Sequence, residues 1–505
     1  MNQELICYNI DGSRIVGEAL KVVFPKNIEE VKKIILDNEN IVIRGSGSNF
    51  VGGCIPNSSV VVDMKKMNKV KLEKGSIYAE SGATIKEINE KLKPLKLEFP
   101  IFLNGEKTLG GMIAINSSGY LGKYGSIKDW IEEIELVNGK GEAVKIKKAD
   151  LSDVCGIEGL TGIITKVKLK VIPLQERSAS IFQADTLEDI WSIARRLKVH
   201  EEVAMLRLYS KLVSKLMGFP ERYHIFVVFN SERGKIKGKE YNNILNNLKK
   251  EHYHLSSYGY YDTDDAKFFF DKLKEFIPFL EELAVPYFSD LSNSFIYFFY
   301  KEQDTNKEKV SKMIQKMGGR PGNYGIGIKR KNLLDALQKK IIQSVKSRYD
   351  PSDKLNKGKL IDFIVGYDEK LNIDKREEFK KTALRLDLDS SFLDNNLKKK
   401  ENSYDNEEVG ELAVDKEDKF RAGNSNENED NLKLTLNKED KFYEENNYEK
   451  EDVGKVKIRD NLESKPVITN VEKNLINRIM FNKLDKKDEN ESKERSKDDI
   501  KKSNQ

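Results

Sequence analysis

The run Arg44-Gly45-Ser46-Gly47-Ser48-Asn49-Phe50-Val51-Gly52-Gly53 follows the apolar stretch Ile41-Val42-Ile43 and sets four glycines within nine residues. Glycine reaches positive φ without a Cβ clash, so successive backbone N–H groups can converge on one anion. Ser46 and Ser48 can add hydroxyl donors. The chemistry such a loop suits is the grip of a diphosphate. It is not a P-loop, which needs a terminal Lys-Ser/Thr, nor a Rossmann turn, since Gly53, Pro56 and Asn57 do not continue as a helix. Alone, the run is equally a glycine-rich turn between strands. Two further clusters change that balance: Thr108-Leu109-Gly110-Gly111-Met112-Ile113-Ala114-Ile115-Asn116-Ser117-Ser118-Gly119 would let backbone approach a flat ring, and Gly156-Ile157-Glu158-Gly159-Leu160-Thr161-Gly162-Ile163 turns on glycines into a β-branched strand.

In this order, with Phe99-Pro100 before the second cluster and Lys123-Tyr124-Gly125 and Asp129 after it, the segment resembles the FAD-binding domain of the vanillyl-alcohol oxidase and para-cresol methylhydroxylase (PCMH) superfamily. The glycolate oxidase FAD subunit and D-lactate dehydrogenase branch is the nearest likeness. The resemblance covers residues 8 to 175 and, more weakly, 176 to 365. It implies that Arg44, Gly45, Ser46, Gly47, Ser48 and Asn49, with Gly52 and Gly53, hold the pyrophosphate of FAD. Pro100, Thr108, Gly110, Gly111, Ala114, Asn116, Ser117, Ser118, Tyr124, Glu158, Gly159, Gly162 and Ile163 would then line the rest of the cofactor. Some relatives tie the ring through a histidine in the first loop; here Ser48-Asn49 stands there and no histidine precedes His200, so noncovalent FAD is expected. Ile157 replaces a usual serine, and Leu160-Thr161 reverses the common order.

The run Gly318 to Arg330 resembles a family segment ending in Glu-His-Gly-Ile-Gly, but the Glu-His pair is Asn323-Tyr324. The family's histidine is the expected base for a 2-hydroxy acid, because taking the hydroxyl proton as hydride leaves calls for a group titrating near neutrality. Asn323 cannot serve, and Tyr324 could only if Lys329 or Arg330 lowered its pKa. Phe288 to Tyr297 occupies the place of a metal-site loop but has lost both of its histidines. Asp290, Ser292 and Asn293 would hold a borderline metal poorly, so no catalytic metal is expected. The four histidines His200, His224, His252 and His254 read as surface or core fillers. Arg207, alone in the apolar stretch Met205 to Tyr209, is a candidate fork for a substrate carboxylate or phosphate.

These residues need elements to hold them. Capping boxes at Asn27/Glu30 and Thr84/Glu87 open helices, and strands are expected at Val22 to Pro25, Ile41 to Ile43, Val60 to Asp63, Ile77 to Glu80, Ile131 to Val137 and Ile163 to Ile172. Beyond Pro173, helical periodicity at Leu187 to Leu197, Phe268 to Leu283 and Val310 to Met317 alternates with strands such as His224 to Phe229 and Phe295 to Phe299. The fold class is α+β: a two-subdomain PCMH-type FAD-binding domain (1–175), an α+β cap domain with an antiparallel sheet and helices on one side (176–365), then a disordered charged tail (366–505). Within the tail, Ile468, Val471, Leu475, Ile479 and Met480 would share one helical face.

The 505 residues are 38% hydrophobic and 34% charged, with 88 basic against 83 acidic side chains spread along the chain, which does not indicate nucleic acid. Three scattered cysteines fit neither a disulfide framework nor a zinc site and suit a reducing cytoplasm. No cysteine follows Cys155, so an iron–sulfur electron acceptor would sit on a partner subunit. No apolar run approaches a membrane span. The expectation is an FAD-dependent oxidoreductase acting on a small 2-hydroxy acid. The alternatives are a noncatalytic FAD-binding accessory subunit of a multi-subunit oxidase and, more remotely, an alkylglycerone-phosphate synthase-like flavoprotein.

Overall fold

The computed structural model of the protein describes residues 3–73, 76–101 and 106–365; the expectations for the tail lie outside the described residues. The chain opens with β1 (Glu18–Val23), α1 (Ile28–Asp37), β2 (Ile41–Arg44) and β3 (Asn57–Asp63), whose strands form a parallel sheet in the order β1-β3-β2. The helix starts where expected, because Asn27 Oδ1 accepts the Glu30 N–H at 2.9 Å, and it buries Val31 and Ile35.

A second subdomain follows: β4 (Val70–Glu73), β5 (Ser76–Glu80), α2 (Ile85–Leu92), β6 (Leu97–Glu98), α3 (Leu109–Ala114), β7 (Ile131–Val137), β8 (Ala143–Lys147), β9 (Ile163–Leu169) and β10 (Ile172–Pro173). Its main sheet is antiparallel, ordered β4-β5-β9-β7-β8. Thr84 and Glu87 close the reciprocal box that starts α2, which places Ile85, Ile88 and Leu92 on the buried face. The single strand expected from Ile163 to Ile172 is two, since β10 leaves the main sheet to pair with β6.

The cap comprises β11 (Ser178–Ala184), α4 (Leu187–Lys198), β12 (Val203–Tyr209), α5 (Lys211–Leu216), β13 (Tyr223–Phe229), α6 (Gly238–Leu248), α7 (Glu251–Ser257), β14 (Asp262–Lys267), α8 (Phe270–Glu282), β15 (Tyr287–Asp290), β16 (Phe295–Tyr300), α9 (Asn306–Lys316) and β17 (Arg320–Pro321). Seven antiparallel strands run in the order β11-β13-β12-β15-β16-β14-β17. Helices cover both faces of this sheet, not one. Alternate residues of β13 and β16 face opposite ways: Ile225, Val227, Ile296 and Phe298 pack with α4, α8 and α9, while Phe226, Val228, Tyr297 and Phe299 pack with α5, α6, α7 and the first domain's Val51 and Leu121. The second face therefore looks toward the glycine loops. Near-continuous apolar strands such as Tyr223–Phe229 are what two-sided burial requires.

After the cap, α10 (Ala336–Tyr349) returns the chain to the start. The Ile41 N–H donates to Lys354 O and the Asn356 N–H to Ile41 O, each at 2.8 Å, so residues 354–356 extend the edge of β2. The other joint is Arg177, whose guanidinium forks onto both oxygens of Glu98, with Nη1 to Oε2 at 2.9 Å, while its Nε donates to Asn230 in the cap. Both side chains of the pair are buried. Among the described residues no helix is long and apolar enough to cross a membrane. Removing one partner of a buried pair strands the other charge, so Glu98→Gln is expected to lower unfolding stability by about 3–5 kcal/mol, read from the urea midpoint at constant slope.

Candidate active site

The three glycine clusters converge. They line one cleft of about 1000 Å³, counting the part open to solvent, at the top of the ~300–1000 Å³ range of ligand pockets. Its walls include Arg44 to Phe50, Gly53, Thr108, Gly110, Gly111, Ala114, Glu158, Gly159 and Gly162, with Asn323 and Tyr324 of the cap opposite. Ile43, Met64, Met112, Ile115 and Ile164 supply the apolar surface a flat ring needs.

The first loop is held open from behind. Gly47 sits at φ +70°, and a Cβ there would come within 2.2 Å of the Arg44 guanidinium. Arg44 itself faces away from the cleft's centre: Nη1 donates to Ile10 O and Nη2 to Cys7 O, both at 3.1 Å. Gly45 packs so closely on the second cluster that a Cβ would come within 2.2 Å of Thr108 Oγ1, the cap of α3. Asn49 Oδ1 accepts the N–H groups of Val51 and Gly53 at 2.8 and 2.9 Å, fixing the loop's exit. Among the described residues the amides of Ser46, Gly47 and Ser48 donate no hydrogen bond. Ser81 Oγ, also on the cleft wall, and Lys359 Nζ are buried without a hydrogen-bond partner. Burial pushes the Lys359 amine down to about 8. Unspent amides and an orphaned hydroxyl on the cleft wall fit a bound dinucleotide diphosphate.

Glu158, at φ +48°, turns its carboxylate onto the cap. Oε1 and Oε2 accept the Ile326 and Gly327 N–H groups at 2.5 and 2.9 Å, and its carbonyl accepts from Asn356 Nδ2 at 2.6 Å. Burial pushes its pKa up to about 7 against the pull of those amides. Across the cleft Asp265 of β14 accepts from the Asn323 and Tyr324 amides and pairs with Arg330 Nη1 at 2.6 Å. Lys107 also lines the cleft; burial lowers its amine, Asp265 opposes this, and among the described residues it makes no ion pair.

Several sequence expectations change here. Asn323 is a clamp: Oδ1 accepts the Ser118 N–H at 2.7 Å and Nδ2 donates to Ser118 O at 2.9 Å, tying cap to first domain. Tyr324 is not an acidified phenol. Burial, with Asp265 adding, pushes it well above its ordinary range, because Arg330 is spent on Asp265 and Lys329 points to Asp262 at 3.4 Å. Arg207 is 2% exposed and lies outside the cleft lining, its guanidinium 4.8 Å from the Phe288 ring and 3.7 Å from Glu251. It is a buried counter-charge in a central strand, which removes the feature behind the synthase-like alternative. Pro100, Gly52, Asn116, Ser117, Ser118, Tyr124 and Ile163 also lie outside the lining. Ser117 and Ser118 hold Asn323, and the Tyr124 hydroxyl accepts from Asn230 at 2.9 Å. Asp290 accepts the Ser292 N–H at 3.1 Å within its own turn.

The residue that sequence reasoning passed over is His252. It is carried by α7, stacks on Phe50 with ring centres 5.4 Å apart, and its Nε2 meets the Tyr324 hydroxyl. Its polar neighbours Lys249, Lys250 and Glu251 disguised it as a surface histidine. The signal available was the apolar spacing Leu248 to Leu255, which puts a buried face on that segment. Lys107 and Ser81 were missed because nothing local marks either as buried.

Comparison with known proteins agrees with this geometry. Residues 19–147 match the FAD binding domain family. The chain is 26% identical over 245 residues to a D-lactate dehydrogenase of Archaeoglobus fulgidus, covering 43% of this chain and 55% of that protein. It is 32% identical over 192 residues to the mitochondrial D-lactate dehydrogenase [cytochrome] of Arabidopsis thaliana, 34% of each. It is 28% identical over 180 residues to glycolate oxidase subunit GlcD of Bacillus subtilis, 32% of this chain and 38% of the subunit. The chain thus spans about half or less of the length of these relatives.

Two outcomes follow for the cradle. Gly47→Ala forces a side chain into the left-handed region and against Arg44; FAD affinity, titrated by flavin fluorescence, is expected to fall at least about tenfold, each ~1.4 kcal/mol being a factor of ten. The Glu158 carboxyl binds its proton more tightly folded than unfolded, so the stability it contributes is full below its ordinary value of 4.5 and lost as pH rises through about 7. The cofactor-free protein should lose about 3 kcal/mol across that window in urea titrations, and Glu158→Gln should flatten the dependence.

Proposed function

We propose, from the premise that the chain carries a PCMH-type FAD-binding domain, that it oxidises a small 2-hydroxy acid with noncovalently held FAD as the two-electron acceptor. The observation that carries this reading is the chamber where cradle and cap meet, lined by Lys107, which makes no ion pair among the described residues, and by Tyr324, with His252 on its hydroxyl. A 2-hydroxy acid offers one anion and one hydroxyl, and this chamber offers one cation and one phenol. When bound, FAD would supply the electron-pair chemistry. The chain's own residues hold its diphosphate on the amides of Ser46 to Ser48, orient the substrate carboxylate toward Lys107, and exclude water with Phe50, Tyr297 and Tyr324. The first loop offers Ser48 and Asn49 and no histidine, which supports a dissociable cofactor.

Reoxidation needs an acceptor. Three free thiols, two of them buried, suit a reducing cytoplasm and leave any iron–sulfur cluster to a partner subunit. One observation favours a second reading, a noncatalytic FAD-binding subunit: Asn323 and Asp290, which stand where the resemblance expects catalytic and metal-site residues, are both spent on structural hydrogen bonds.

The two readings part under anaerobic mixing with D-lactate, glycolate and related acids. Bleaching of the flavin's visible band by any of them supports the oxidase; an FAD-loaded protein that no acid bleaches is the accessory subunit. Lys107→Met should raise the acid concentration for half-maximal bleaching about 10–100-fold while FAD affinity holds, a loss in the ~1.5–3 kcal/mol range of a charge-assisted contact.

A further inference from the structure

Five rings surround His252. Phe50 stacks on it, Phe288, Phe299 and Tyr297 meet it edge-on at 5.6, 5.2 and 6.4 Å, and Tyr324 brings its hydroxyl to Nε2. Tyr324 and Phe50 line the cleft; His252 stands directly behind them. The Tyr324 hydroxyl has one more neighbour, Thr263 Oγ1 at 3.2 Å. A half-buried imidazole fixed on the phenol of a residue that lines a ligand cleft is more than packing needs, since a phenylalanine would fill the same aromatic box.

We propose that Tyr324 and His252 form a proton relay for the site, switched on when an anion settles against Lys107. This rests on the 2-hydroxy-acid reading and deepens it. The relay operates with the imidazole proton on Nδ1, leaving Nε2 to accept. As the substrate's C–H leaves as hydride for the bound flavin and its C–O bond becomes C=O, the substrate hydroxyl proton passes to the Tyr324 oxygen. The Tyr324 proton passes to His252 Nε2 in the same step. The products are a 2-oxo acid, a two-electron-reduced flavin and an imidazolium, and charge and atoms balance. Tyr324 touches the substrate and is the catalytic group; His252 acts through it.

The switch follows from placement, since Lys107 and Tyr324 line the same cleft and His252 sits on the Tyr324 hydroxyl. Burial lowers its pKa to about 3, and Lys107 and Arg207 push the same way. Lys107 lies in the segment before α3, Arg207 on β12, and Tyr324 and Tyr297 are the titratable groups facing the ring from the 320–330 run and β16. Glu251, next on α7, is occupied by the Tyr209 hydroxyl at 2.6 Å and by Arg207. Free of ligand, His252 is therefore neutral and a poor base. A carboxylate beside Lys107 cancels one of the two depressing cations, and the imidazole's proton affinity rises when the substrate is in place.

The test has one arm without turnover. In ¹⁵N-histidine NMR of the FAD-loaded protein, with His252 assigned by His252→Gln, saturating oxalate should raise the His252 pKa by one unit or more. Lys107→Met should raise it with no ligand present. An imidazole that titrates identically in all three states overturns the switch, whether or not any acid bleaches the flavin. In the second arm, single-turnover bleaching, His252→Gln and Tyr324→Phe should each slow the step about 10²–10⁴-fold, with half-saturating acid within about threefold and the FAD content kept. A His252→Gln protein that bleaches at the unaltered rate overturns the relay even if the titration shifts. An unaltered protein that no acid bleaches overturns the 2-hydroxy-acid reading and the proton path with it, leaving only the Lys107–His252 coupling standing.

Discussion

Two buried carboxylates, one from each domain, hold the backbone from Gly322 to Arg330, and the functional cleft exists because they do. Asp265 collects the amides of Gly322, Asn323 and Tyr324. Glu158 collects those of Ile326 and Gly327. A carboxylate removed from water is costly unless its lone pairs are met by donors, and consecutive amides meet them best when the chain takes one path. That path leaves Asn323 to clasp Ser118 and Tyr324 to look into the cleft. Gly327 follows at φ +53°, with its Cα so close to Val51 O that a Cβ would lie 2.2 Å away. Cap and cradle are thus joined by polar contacts that are short and directional.

The first domain was legible in the sequence because its signals are local. Capping pairs three residues apart, glycines in clusters and short apolar strands act within a few positions: Thr84/Glu87 closes its box, Asn27 caps α1 without the reciprocal bond, and the first loop lines the cleft. The cap was legible as elements but not as a site. Its strands are apolar throughout because helices cover both faces, and a run like Tyr223–Phe229 does not say which side faces the cofactor. Asn323 and Tyr324, singled out by position, both line the cleft, yet their setting depends on Asp265, 58 and 59 residues away in sequence. Arg207 attracted notice as a lone charge among apolar residues, and its partners Glu251 and Asp290 could be found only in three dimensions.

The same argument accounts for His252. A histidine between Lys250 and His254 carries every local mark of a solvated helix, and only the packing of α7 onto the sheet's inner face turns it toward Tyr324. The element that carries an imidazole can therefore differ from the one whose sequence marks it, since what matters to a proton is the donor–acceptor contact and not the strand that bears it.

Charge is the last constraint. Arg330 is matched by Asp265 and Asp264, and Lys346 by Asp350 and Asp353. Arg44 is met only by carbonyls and the Cys54 thiol, while Lys107 and Lys359 make no ion pair among the described residues. Buried cations without a paired carboxylate cost the ligand-free protein through desolvation. An anion settling in the cleft beside Lys107 would offset part of that cost. The electrostatic cost carried by the empty fold is thus an attraction open to an anionic ligand.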